Sequence, residues 1–100
     1  MRWSVRYSRL TAKADEDFIA IFVESIDRFG VRQAEHYARA ITDCFALLAS
    51  QPRMARERPE FTPPIRAHFH GSHVVAYVET DDGILILRIF HAKQDWPSLM

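Results

Sequence analysis

Hydrophobic and polar positions change period twice along the chain. Trp3, Val5 and Tyr7 alternate with Arg2, Ser4 and Arg6, the period-2 pattern of a half-buried strand, which predicts a strand over 2–8. Thr11 can then cap a helix whose first turn carries Asp15 and Glu16, where the helix dipole favours acids. Phe18, Phe22, Ile26 and Phe29 mark its apolar stripe, and Gly30 supplies the positive φ that a helix end needs. A second helix starts at once, with Ala34, Tyr37, Ala38, Ile41, Phe45 and Leu48 recurring at spacings of three and four. The two helices form an antiparallel hairpin.

Pro52 closes the second helix. Residues 51–64, rich in proline and arginine, read as one long loop. From Ile65 the period returns to two. Ile65 to His70 and His73 to Thr80 flank Gly71-Ser72, and a further turn is expected at Asp82-Gly83. The predicted order is β-α-α-β-β-β, an α+β fold with a helical hairpin packed on one face of a mainly antiparallel sheet.

Two-residue turns fix the register. Arg66 then faces Tyr77, and Tyr77 faces Arg88, while Ile65, Ala67 and Phe69 oppose Val78, Ala76 and Val74. The second set is wholly apolar and is expected under the helices, joined by Leu85, Leu87 and Ile89. Arg66, Tyr77 and Arg88 would form a row across three strands on the opposite, open face, able to hold a phosphate, a carboxylate or an acidic side chain. On that reading, replacing Arg88 costs function and not fold. The alternative is a row that serves the fold alone, with Arg88 paired to Glu79 or the C-terminus and Arg66 stacked on Tyr77.

Composition narrows the classes. One hundred residues, 48% hydrophobic, suit a single domain spanning 1–100 that folds without metal or disulfide. Cys44 is the only cysteine and its helical setting suggests packing. No apolar run approaches the roughly 20 residues of a membrane span, and no signal-peptide stretch opens the chain, which points to the cytoplasm and to no membrane partner. Lys plus Arg and Asp plus Glu each number 13. That balance argues against direct, sequence-specific nucleic-acid binding, which favours a clustered cationic excess. His68, His70 and His73 lack the Cys, Asp or Glu partners of a metal site, so neither metal nor cofactor is expected. His91, at the strand end, reads as a capping residue.

A family resemblance rests on Ala14-Asp15-Glu16-Asp17-Phe18-Ile19, on Phe29-Gly30 with Gln33-Ala34 and Tyr37, on Leu48-Ala49 with Pro52, on Pro64-Ile65-Arg66, and on Asp82-Gly83-Ile84 leading to Arg88-Ile89-Phe90-His91 and Asp95. In this order the motifs resemble ParE toxins of the RelE/ParE superfamily. The resemblance implies a growth-arresting toxin of a plasmid-stabilising type II toxin–antitoxin system. It would inhibit DNA gyrase and be silenced in a hetero-oligomer with a ParD-like antitoxin. A groove between helices and sheet, with Trp96 exposed near its end, is the expected antitoxin site, and Arg66, Tyr77 and Arg88 are expected to touch target or antitoxin. RelE-like relatives cleave messenger RNA on the ribosome. For that alternative Arg66, Tyr77, Arg88 and His91 are the candidate catalytic residues. A third reading is a non-toxic relative that only binds an antitoxin.

Overall fold

The computed structural model describes residues 6–100. Strand β1 runs Tyr7–Leu10, helix α1 Ala12–Phe29 and helix α2 Val31–Ser50; β2 (Glu57–Arg58), β3 (Ile65–His70), β4 (His73–Thr80) and β5 (Gly83–His91) follow. The strands form one sheet in the order β1-β5-β4-β3-β2, parallel between β1 and β5 and antiparallel elsewhere. The α+β class and the helical hairpin are as the sequence predicts.

Local chemistry sets the boundaries. Thr11 caps α1 by accepting a hydrogen bond from the Ala14 N–H at 3.0 Å, while Gly30, at φ 89°, ends α1 and begins α2. The first predicted strand lies partly outside the described residues, Trp3 and Val5 among them. Within them it is displaced toward Leu10, and Tyr7 is exposed where alternation turned it inward. Gly83 lies opposite Tyr7, and any Cβ there would collide with the Tyr7 backbone. A glycine is therefore what lets β1 close on β5.

The segment read as one long loop carries structure. Pro52–Met54 form a turn of 3-10 helix, Glu57 and Arg58 pair with Arg66 and Ile65, and Pro52 and Ala55 are buried. The last residues are ordered too, with a 3-10 turn at Trp96–Leu99.

The predicted pairing of β3 with β4 is observed, Arg66 with Tyr77 and His68 with Val75. The faces of β3 and β4 are reversed, and Leu87 goes with them, while Ile89 lies under the helices as expected. Val75 and Tyr77 lie beneath the helices with Ile84, Ile86 and Ile89, packed on Ala14, Ile41, Phe45 and Leu48. Ile65, Val74, Ala76 and Phe90 fill a second core on the other side, where Trp96 covers them and Phe61, Ala67, Val78 and Leu87 pack around. Both faces are covered, so apolar character alone could not identify the helix side. The second turn is also one residue earlier than predicted: Thr80 pairs with Gly83, and a bulge between Ala76 and Tyr77 sets Tyr77 opposite Ile86 and Ala76 opposite Arg88.

Tyr77 is fully buried, and its hydroxyl donates to the Pro52 carbonyl at 2.7 Å, pinning the segment after α2 to the sheet. Tyr77→Phe should cost about 1–3 kcal/mol by leaving that carbonyl unpaired. Urea denaturation of the purified variant measures it, and an unchanged midpoint would contradict the assignment.

Candidate functional site

The row expected on an open face does not form. Arg66 and Tyr77 keep their pairing and share a face, but it is the helix-side face. The Arg66 guanidinium donates to the Ala55 carbonyl at 2.7 Å. Burial pushes the Tyr77 hydroxyl above its ordinary range, so it is held as a neutral donor inside the core. Arg88 is separated from both by the bulge. Its Nε and Nη2 donate to the Asp17 carboxylate of α1 at 2.8 and 3.1 Å, and its guanidinium lies 4.7 Å from the centre of the Phe90 ring. The partner is neither Glu79 nor the C-terminus.

Asp17 also accepts the Ile89 backbone N–H at 2.9 Å. One carboxylate thus takes three donors on the edge of β5, with only 16% of its side chain exposed against 26% for Arg88. An ion pair this sheltered is part of the fold. Arg88 therefore does not stand free on an open face, the premise on which it was expected to be dispensable for folding.

Trp96, expected at the surface, is 5% exposed. Its ring stacks with Phe61 and Phe90 at 6.0 and 6.3 Å, and Arg58 caps it at 5.2 Å. His91 does cap its strand: its N–H donates to Gln94 Oε1 at 2.9 Å, and its Nδ1 accepts the Lys93 N–H at 3.1 Å. The four residues named for nuclease chemistry are therefore dispersed over the helix-side core, the β5 edge and the strand end.

Two surfaces escaped the sequence reading. On α1, Ile19 and Val23 are exposed, Phe22 and Ile26 half-buried, and Phe29 exposed. Spacings of three and four make them a second apolar stripe, turned away from the core-facing Ala14, Phe18 and Ile21. Only part of it was visible as periodicity, because Ile19 and Val23 fall outside the Phe18, Phe22, Ile26 series. The second is a hollow where the tip of the helical hairpin meets the β3–β4 turn and the end of β5. Tyr37 from α2 lies 2.7 Å from His73 Nδ1, and the His73 and His91 rings are 5.5 Å apart. Gly71 signals this contact, since a Cβ there would press on the Tyr37 hydroxyl at 3.0 Å.

A helical hairpin on a five-stranded sheet of this order defines the RelE/ParE-like class of α+β folds. A family profile described as ParE toxin of type II toxin–antitoxin system, parDE, matches residues 9–96. The chain belongs to that family. Toxin ParE1 of two Mycobacterium tuberculosis strains is 36% identical over 70 residues, covering 69% of this chain and 71% of the relative. Toxin ParE1 of Caulobacter vibrioides is 32% identical over 87 residues, covering 87% of this chain and 90% of the relative. A structure titled as a chromosomal ParDE TA system from P. aeruginosa superposes with a TM-score of 0.73 at 21% identity, over 89% of this chain and 98% of its own. That likeness concerns the fold.

The half-buried polar groups generate two predictions. In a double-mutant cycle of Arg88→Ala and Asp17→Ala, the coupling should be about 1–3 kcal/mol. Asp17→Ala alone should cost more than Arg88→Ala, because it also strands the Ile89 N–H; the reverse order in thermal or urea unfolding would contradict this geometry. His68 and His73 are both held below the usual imidazole range, first by burial and then by neighbouring imidazoles. The unfolded chain therefore takes up these protons before the folded one. Their contribution to stability is complete above about pH 6.5 and declines as pH falls below it, until the folded sites also protonate. Melting temperatures across that window should fall with acidification, and less steeply in His68→Gln/His73→Gln.

Proposed function

We propose that the protein is a toxin that inhibits DNA gyrase and is held silent in a hetero-oligomer with a ParD-like antitoxin. The observation that carries this reading is the family match over residues 9–96. The neutral charge balance supports it over a ribosome-directed nuclease, since gripping RNA by its phosphates favours a cationic surface. The dispersal of Arg66, Tyr77, Arg88 and His91 supports it as well, because charge stabilisation and proton transfer need those groups at one point.

In this reading the antitoxin lays an amphipathic segment along the α1 stripe of Ile19, Val23 and Ile26, where helix-in-groove recognition uses anchors at such spacings. Tyr77, Arg88 and Trp96 act through the fold. Arg66, half-buried with only one guanidinium nitrogen engaged, is the member of the predicted row left to touch a partner.

Expression without antitoxin should induce the DNA-damage response and trap gyrase–DNA cleavage complexes before translation stops. The purified protein should block supercoiling by gyrase. Cleaved messages with normal supercoiling would select the RelE-like alternative, and unimpaired growth the non-toxic one. Ile19→Asp/Val23→Asp should keep toxicity while weakening antitoxin binding by about tenfold or more. Unaltered neutralisation by the antitoxin would place its contact elsewhere.

A further inference from the structure

The hollow at the tip of the helical hairpin encloses a cavity of about 190 Å³. Ile21, Phe29 and Tyr37 give it apolar walls, and Glu24, Arg28, His73 and His91 are the charged or titratable groups that face it. Its size lies below the about 300–1,000 Å³ of pockets for drug-sized ligands. A single ring or short alkyl group with a polar end fits such a space.

The polar side is arranged to donate. His91 Nδ1 accepts the Lys93 backbone N–H, so the neutral ring carries its proton on Nε2. The Tyr37 hydroxyl has two neighbours, His73 Nδ1 at 2.7 Å and the His70 carbonyl at 3.3 Å. The hydroxyl has one proton for the two contacts, so the nitrogen on which neutral His73 carries its own follows from which contact takes it. Neither Nε2 makes a hydrogen bond among the described residues. Arg28 adds a cation, paired among the described residues with Glu24 alone, at 3.7 Å with both side chains 64% exposed, a contact loose enough for an incoming anion to displace. Glu24 opposes an anion, but the guanidinium is free to turn from it. A divalent cation is disfavoured, since no group of three or more His, Cys, Asp or Glu suited to a metal occurs among the described residues.

We propose that this cavity is a binding site for a small apolar group that ends in a carboxylate, with the ring or chain against Ile21, Phe29 and Tyr37 and the carboxylate on Arg28 and the His91 Nε2–H, beside the His73 ring. The chemistry is shared by a free aromatic acid and by the terminal residue of a peptide. It does not rest on the gyrase or antitoxin reading, because the antitoxin anchors Ile19, Val23 and Ile26 do not line this cavity.

The test is an NMR titration of the full-length protein with benzoate, following the ring signals of His73 and His91. Benzoate should shift both in a saturable way, and benzyl alcohol, with the same ring and no charge, should bind about tenfold more weakly or less. Arg28→Gln, on an exposed helix position that leaves folding intact, should weaken benzoate by about tenfold, the loss of one charge-assisted hydrogen bond. A peptide ending in a free phenylalanine carboxylate, compared with its C-terminal amide, distinguishes the sources. Tighter binding of the free-acid peptide than of benzoate assigns the site to a chain terminus; equal or weaker binding assigns it to a small acid. Unmoved histidine signals, equal binding of benzyl alcohol, or an Arg28→Gln variant that binds benzoate like the parent would each overturn the proposal.

Discussion

The half of β5 that β1 leaves unpaired governs the rest of the structure. β1 covers β5 only from Gly83 to Ile86, and a bare edge beyond that point would expose backbone donors and acceptors. The start of α1 completes it. The Thr11 N–H donates to the Ile86 carbonyl at 3.0 Å and the Thr11 hydroxyl to the Leu87 carbonyl at 2.8 Å. One and a half turns later Asp17 accepts the Ile89 N–H and holds the adjacent Arg88. Helix and sheet edge are thereby locked in one register. That lock sets which side of α1 packs inward, and so which side is left to face a partner.

The same constraint explains why Arg88 resisted a reading from sequence. Its parity with Phe90 does turn it away from the helices, as alternation requires. A guanidinium on a long side chain is nevertheless able to reach around an open edge, and a carboxylate seventy-one residues earlier in the chain stands there to receive it. Nothing in a local window relates Asp17 to Arg88. The helices, the Gly30 junction, Thr11 as cap and the β3–β4 register were legible because each depends on neighbours in sequence. The choice of sheet face was not. Val74-Val75-Ala76-Tyr77-Val78 is apolar on both parities, the mark of a strand buried on both sides, and only the contacts of Pro52 and Trp96 decide which residues meet the helices.

Trp96 shows the energetic side of this arrangement. The helices cover one face of a small sheet, and the other face would expose Ile65, Val74, Ala76 and Phe90. Folding the chain after β5 back across them buries an aromatic side chain of the kind whose removal costs about 3–5 kcal/mol. The tyrosine on one face and the tryptophan on the other thus bind to the sheet the two segments that hydrophobic periodicity could not place, those after α2 and after β5.

A sheet buried on both sides has consequences for where function can lie. Its faces are filled by Val74, Val75, Ala76 and Tyr77, so a reactive constellation set among them would have to displace packed aliphatic and aromatic groups at a cost in stability. Groups outside that sandwich carry no such burden: the exposed side of α1, the Arg28–Glu24 pair and the Nε2 atoms of His73 and His91 are not needed to close the core. Substitution there is able to alter recognition while leaving folding intact, whereas Asp17, Tyr77, Arg88 and Trp96 couple any change in function to a change in stability. For this chain, a toxicity lost with one of those four residues is therefore evidence about the target only when the variant is shown to be folded.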